Sequence, residues 1–103
     1  VISFVENNKA TAFISVVSVT ELLAKPSITQ KQQVLVNHFI EQFNILDFNS
    51  AIAQEAAALK RKYNLSFPDA IMAATAKLFK LQLVSKDKIF KKVKEIKTIY
   101  PYA

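Results

Sequence analysis

The sequence predicts an α/β domain in which helices flank a short parallel β-sheet, as three layers. Residues 12–19, AFISVVSV, are a nearly continuous apolar and β-branched run, which is the pattern of a strand buried on both faces of a parallel sheet. Residues 31–43 place Val34, Leu35 and Phe39 at helical spacing among polar residues, which predicts an amphipathic helix. Strands that alternate with helices along a chain are typical of a parallel α/β sheet.

Further elements follow from the same criteria, with caps and prolines marking their ends. They are a strand from Ile45 to Phe48, a helix capped by Asn49 or Ser50 and ending near Tyr63, a helix capped by Ser66 and running to Phe79, a strand in LQLVSKD, a short helix in IFKKVKEI and an edge strand in TIYPY. The first ten residues, VISFVENNKA, resemble ordinary helical sequence.

Composition narrows the function classes. The net charge of +6, with a pI near 9.7, suits a polyanionic partner such as nucleic acid, although lysine-rich surfaces also keep proteins soluble. The absence of cysteine leaves only oxygen ligands or His38 for a metal, which favours magnesium or manganese over zinc. The absence of glycine excludes glycine-rich phosphate loops.

No apolar run approaches the roughly 18 residues that span a membrane, so we expect a soluble, cytoplasmic protein.

Three acidic residues are placed where a strand meets a helix. Glu21 follows the AFISVVSV run in the first turn of the next helix, Asp87 follows LQLVS by one lysine, and Asp69 lies at a helix N-terminus. In a parallel α/β sheet, ligands gather beyond the carboxyl ends of the strands. Converging carboxylates suit Mg²⁺ or Mn²⁺, which activates water and stabilises the leaving oxygen of a phosphodiester. The three residues therefore predict a metal site.

Each acid also has a structural interpretation, which is the better one when the residue is taken alone. Glu21 can pair with Lys25 on an exposed helix face, Asp69 can complete the capping box of Ser66, and Asp87 can cap the following short helix. Their common placement favours one shared site over three coincidences. The remaining acids within helical or terminal stretches are assigned to the surface: Glu6, Glu41, Glu55 and Glu95.

Two segments resemble those of PIN-domain proteins. FISVVSVTELL resembles the second strand and following helix of that family, with Glu21 at a family glutamate. LSFPDAIMAATAKLFKLQLVSKDKIF resembles the stretch D-x-x-x-A-x-x-A … L-V-[ST]-x-D-x-x-F. The positions on the family pattern are Asp69, Ala73, Ala76, Ser85, Asp87 and Phe90.

The resemblance implies a PIN-like fold and a metal-dependent endoribonuclease, the toxin of a VapC-type toxin–antitoxin pair. It implies Mg²⁺ or Mn²⁺ bound by Glu21, Asp69 and Asp87, with Ser85 positioning a ligand or water. It further implies a homodimer and a small antitoxin protein that occludes the site. Lysines crowd beside Asp87, and those expected to bind RNA are Lys86, Lys88, Lys91 and Lys92.

One family feature is missing. Family members begin with a central strand that carries a first aspartate, and VISFVENNKA does not resemble it. We therefore expect residues 1–103 to form a single PIN-like domain that is incomplete at its N-terminus, with two exposed strand edges where the first strand belongs. Two alternatives remain: a catalytically inactive PIN-like module that binds RNA or a protein partner, and a different α/β domain whose acids do not converge.

Overall fold

The computed structural model describes residues 4–6, 12–85 and 87–99. No helix in these ranges is long and apolar enough to cross a membrane. The elements in chain order are β1 Phe4–Glu6, β2 Ala12–Ser15, α1 Val16–Leu23, α2 Gln30–Ile40, β3 Asn44–Leu46, α3 Ser50–Tyr63, α4 Phe67–Leu78, β4 Gln82–Val84, a 3₁₀ helix Lys88–Lys92 and β5 Thr98–Ile99.

The apolar run at residues 12–19 divides into two elements, which corrects its prediction as one strand. The strand ends at Ser15, whose Oγ accepts a hydrogen bond from the Val17 N–H at 3.1 Å and so caps α1. Short apolar runs do not distinguish a buried strand from a buried helix by periodicity alone. The serine cap provides the start signal that ends the strand here.

The predicted caps of the two long helices are confirmed. Asn49 Oδ1 accepts from the Ile52 N–H at 2.9 Å at the start of α3. Ser66 Oγ accepts from the Asp69 N–H at 3.3 Å at the start of α4. Helix α3 ends at Asn64, which adopts the left-handed conformation that asparagine tolerates better than most residues.

Within the described residues the sheet has five strands, in the order β3-β2-β1-β4-β5. The pairs β2–β3 and β4–β5 are parallel, as predicted, and helices flank the sheet. The central position is filled by β1, which is antiparallel to both neighbours. Phe4–Glu6 is therefore a strand, not part of a helix. Its pairing covers the edges of β2 and β4 that were expected to be exposed, because an unpaired central edge leaves backbone donors and acceptors unsatisfied.

Helix α4 lies at the centre of the core. Its consecutive residues Ala70 to Ala76 are all buried, and it contacts α1, α3, β1 and β4. The buried Thr75 hydroxyl donates to the Ile71 carbonyl at 2.7 Å, so this polar group is satisfied. Facing α4 are the buried side chains of α3, and the predicted apolar face of α3 is confirmed: Ile52, Ala56 and Leu59 are buried and Tyr63 is half-buried.

Parallel pairing of β4 and β5 requires the intervening chain to return from the carboxyl end of β4 to the amino end of β5. We call residues 87–97 the crossover. Phe90 is fully buried and Val93 is nearly so, and both belong to the main core cluster. These two apolar side chains hold the crossover against the domain while its lysines face solvent.

A polar cluster fastens the same crossover to α3. Tyr63 Oη donates to one carboxylate oxygen of Glu95, and Lys62 Nζ lies 3.0 Å from the other. The backbone N–H of Lys94 donates to Tyr63 Oη at 3.4 Å. The hydrogen bonds from Tyr63 and Lys62 lower the pKa of Glu95 to about 2, so the carboxylate remains ionised at neutral pH.

We predict that Glu95→Gln destabilises the protein at neutral pH but not in strong acid. The pKa of Glu95 is lowered by folding, so its stabilisation is present above about pH 4.5 and is lost as the pH falls toward 2. Urea unfolding should show a loss of roughly 1 to 2 kcal/mol at pH 7 that shrinks below pH 4.5. The control is Glu41→Gln, whose partner His38 is an exposed neighbour in α2. A pH-independent loss for Glu95→Gln contradicts the prediction.

Candidate functional site

The three predicted acids lie at one end of the sheet. Both β2 and β4 are antiparallel to β1, so their carboxyl ends meet at the same edge. Asp87 follows β4, and Asp69 is in the first turn of α4. Glu21 lies in the second turn of α1, not in the first as predicted, because the helix already begins at Val16. Three separate segments thus bring one carboxylate each toward this edge.

Neighbouring carboxylates influence the ionisation of Glu21 and Asp69. Partial burial raises the pKa of Glu21, and the negative charge of Asp69 raises it further. Partial burial also raises the pKa of Asp69; a hydrogen bond with Ser66 opposes this shift, while the charge of Asp87 adds to it. Neighbouring carboxylates repel one another, and a cation between them relieves that repulsion. Asp69 is therefore the electrostatic link between the other two acids.

Ser85 and Asp87 form a short chain of hydrogen bonds at the end of β4. Ser85 is almost completely buried, and its Oγ accepts from the Asp87 N–H at 3.0 Å. Asp87 Oδ1 accepts in turn from the Ile89 N–H at 3.0 Å and caps the 3₁₀ helix. The predicted capping role of Asp87 is therefore confirmed. One of its two carboxylate oxygens is engaged in this way, and Ser85 fixes the backbone that carries it.

The donor set is suited to a hard divalent cation. Carboxylate oxygens are the ligands that Mg²⁺ and Mn²⁺ prefer. Among the described residues, no three histidine, aspartate or glutamate side chains are close enough to hold one metal ion together. Mg²⁺ is commonly held by one or two carboxylates, with water and phosphate completing its coordination. The electrostatic coupling of Asp69 to Glu21 and to Asp87, in pairs, fits that mode of binding.

The predicted RNA-binding lysines flank Asp87 in the sequence. Lys88, Lys91 and Lys92 are exposed on the 3₁₀ helix, immediately after Asp87. Lys86 lies outside the described residues. Because Asp87 caps the 3₁₀ helix that carries Lys88, Lys91 and Lys92, these three lysines lie on the same short segment as one of the acids.

Two acids assigned to the surface by the sequence have partners on other elements of the fold. Glu55 pairs with Lys77 across α3 and α4, and Glu95 joins Lys62 and Tyr63. The alternative pair between Glu21 and Lys25 is not among the ion pairs of the described residues. The partners of Glu95 are 32 and 33 positions away in the chain, so no local pattern signals them.

Comparison with known proteins identifies the family of this chain and solved structures that share its fold. The sequence model of the PIN domain matches residues 2–96. No curated protein matches the sequence significantly. A chain in the structure of a toxin–antitoxin complex from Klebsiella pneumoniae is similar, with a TM-score of 0.72, 29% identity and coverage of 86% of this chain and 72% of that chain.

Two further solved structures share the fold at lower identity. A chain of VapBC2 from Rickettsia felis, bound to a DNA fragment from their promoter, has a TM-score of 0.73 and 19% identity, covering 84% of this chain and 72% of that chain. A chain of FitAcB from Neisseria gonorrhoeae has a TM-score of 0.66 and 21% identity, covering 87% and 75%. At these identities the likeness concerns the fold alone.

We predict that Ser85→Ala destabilises the protein by about 1 to 2 kcal/mol, because the partly buried Asp87 N–H loses its acceptor. Urea unfolding at neutral pH measures the loss. The matched control is Ser27→Ala in an exposed turn, which should change the free energy of unfolding by less than about 0.5 kcal/mol. Equal effects of the two substitutions contradict the role of Ser85.

Proposed function

The chain belongs to the PIN domain family, and from that premise we propose that it is a metal-dependent endoribonuclease and the toxin of a toxin–antitoxin pair. The observation that supports this best is the electrostatic coupling of Glu21 and Asp87 to Asp69 at one end of the sheet. Three acids with unrelated structural roles would gain nothing from such mutual repulsion. A shared cation would offset it.

In this proposal Glu21, Asp69 and Asp87 would surround the site of a Mg²⁺ or Mn²⁺ ion, with one or two of the carboxylates as direct ligands and water completing the coordination. When bound, the ion supplies an activated water and neutralises charge on the phosphodiester. The protein's own residues orient the site: Ser66 fixes the backbone of Asp69, and Ser85 fixes that of Asp87. Ser85 thus acts as a positioning residue, since its Oγ contacts the Asp87 backbone.

The substrate in this proposal is RNA in the cytoplasm. Lys88, Lys91 and Lys92 carry positive charge next to Asp87, where the backbone of a strand entering the site would lie. Lysine contacts to phosphate strengthen binding by releasing counterions and carry little sequence information. We include Lys86 in this group on sequence grounds.

A protein partner is the second part of the proposal. The similar Klebsiella pneumoniae chain comes from a toxin–antitoxin complex. In this chain, Val34 and Leu35 on α2 are more than half exposed, and a cavity of about 300 Å³ beside them is lined by Leu22, Ile28 and Leu35, among others. Large apolar side chains left in solvent are typical of interaction sites. We propose that a small antitoxin and a second copy of this chain bind the domain.

A catalytically inactive module that binds RNA or a protein is the competing function. The specific observation in its favour is that the described residues contain no three-residue metal cluster. Such a module would bind RNA with a steep salt dependence, and metal would have no effect on that binding.

We predict Mg²⁺-dependent cleavage of single-stranded RNA that falls at least about 100-fold in Asp69→Asn and Asp87→Asn, because each substitution removes a charged oxygen ligand. Gel analysis of a labelled RNA, with and without a chelator, measures it. Glu21→Gln tests the third acid, and Glu41→Gln in α2 is its matched control. Wild-type activity in Asp69→Asn refutes the assignment, and RNA binding without cleavage by the wild type favours the inactive module.

We also predict that Mg²⁺ stabilises the folded protein through the same acids. A ligand that binds only the native state at one hundred times its Kd adds about 2.7 kcal/mol to the free energy of unfolding. Urea unfolding with and without Mg²⁺ should show this gain in the wild type and little of it in Asp69→Asn. Glu41→Gln should retain the full gain. Equal gains in Asp69→Asn and the wild type place the bound ion elsewhere.

A further inference from the structure

A second concave surface lies at the opposite end of the sheet from the acids. It is a cavity of about 300 Å³ between the end of α4 and the amino ends of β4 and β5. Its lining includes Ala76 and Ile96, which are apolar, and the charged side chains of Lys77, Lys80, Glu95 and Lys97. We call it the amino-end cavity. It shares none of its lining residues with the acid site.

The charges around the amino-end cavity do not cancel. Lys77 is paired with Glu55, and Glu95 is paired with Lys62. Lys80 and Lys97 make no ion pair with any side chain that the structure describes. The cavity therefore presents two uncompensated positive charges beside an apolar wall. An anion placed there gains from both charges, and a concave surface shields it partly from water.

The position of Lys80 is fixed by the backbone. The Lys80 N–H donates to the Lys77 carbonyl at 3.3 Å, and the Leu81 N–H donates to the Ala76 carbonyl at 2.9 Å. These two bonds are the Schellman ending of a helix, in which the residue after the cap is left-handed and is usually glycine. Lys80 occupies that place with φ 55°. The ammonium group is thus carried by a well-defined turn at the cavity rim.

The lysines of the crossover connect the two ends of the sheet. The crossover starts at Asp87, which is one of the three acids, and ends at Lys97 in the amino-end cavity. The parallel pairing of β4 and β5 requires it to run from one end of the sheet to the other. Helix α4 covers the same span, and its 12 residues are about 18 Å long. The lysines between the two ends are all exposed: Lys88, Lys91, Lys92 and Lys94.

We propose that the amino-end cavity binds backbone phosphate of a single-stranded RNA whose other part lies at the acids, with Lys80 and Lys97 as the contacting residues. This inference rests on the proposed ribonuclease function and extends it to the length of the substrate. A single nucleotide would occupy one end only. A strand that follows the crossover meets cations over the whole distance, so chains too short to reach the cavity forgo the contacts of Lys80 and Lys97.

The test is the length dependence of RNA binding, measured by fluorescence anisotropy in a chelator so that cleavage plays no part. Wild type should bind a single strand of about 20 nucleotides more tightly than one of about 4 nucleotides. Lys80→Gly with Lys97→Gln should lose most of that advantage, severalfold in Kd. The salt dependence for the long strand should also fall by about 0.7 in log–log slope for each lysine removed.

The variants separate binding from folding. Lys80→Gly replaces a strained left-handed lysine with the residue that the turn favours, so its Tm should be equal to or above that of the wild type. Lys31→Gln on α2 removes one exposed charge outside the cavity and is the matched control. It should retain the length advantage and change the slope less than either cavity substitution.

The outcomes distinguish this inference from the proposed function. Loss of the length advantage in the double variant supports the cavity contacts, whether or not the wild type cleaves RNA. An unchanged length advantage in the double variant overturns them, even if cleavage depends on Asp69 as predicted. An equal loss in Lys31→Gln also overturns them, because the effect then reflects net charge alone.

Discussion

Helix α4 is buried along seven consecutive residues, from Ala70 to Ala76, and both ends of the domain depend on that burial. Four of the seven are alanines, which allow the backbone to approach α3 and the sheet closely without leaving voids. A helix packed on several sides cannot shift or rotate without losing these contacts. Asp69 at its start and Lys80 beyond its end are therefore held at fixed places, at opposite ends of β4. The close packing of this one helix sets the separation between the negative and positive sites.

The opposed sites differ in how their charge is balanced. At the acid end, burial and mutual repulsion raise the pKa values of Glu21 and Asp69, so the folded chain holds negative charge there at a cost. At the other end, Lys77 and Glu95 have partners, which confines the unpaired positive charge to Lys80 and Lys97. Like charges gathered at one end of an isolated domain repel one another, which is unfavourable. Binding of a metal cation at the acids and of a polyanion along the lysines would relieve the repulsion at each end.

The sequence predicts the local features of the fold and of the site. Asn49 and Ser66 are recognisable as caps because their hydrogen bonds involve residues three positions away. The position of Asp87 after β4 follows from the apolar run that precedes it, and the rule that ligands gather at the carboxyl ends of strands makes it a site candidate. The end of β2 at Ser15 and the strand at Phe4–Glu6 are not predictable in this way. An apolar β-branched run suits helix and strand alike, and an antiparallel central strand is selected by the open edges of two distant strands.

The absence of glycine has a physical consequence at two helix ends. The described non-glycine residues with positive φ are Asn64, after α3, and Lys80, after α4. Asparagine tolerates the left-handed region because its short side chain bonds locally, whereas lysine has no such compensation. Two Schellman hydrogen bonds, donated by the Lys80 N–H and the Leu81 N–H, offset this strain. Lys80 therefore both ends α4 and contributes a positive charge to the amino-end cavity. The conformation that terminates α4 is the same one that carries an unpaired ammonium group to the rim of the cavity, so the two properties must be separated by substitution before either is assigned to Lys80.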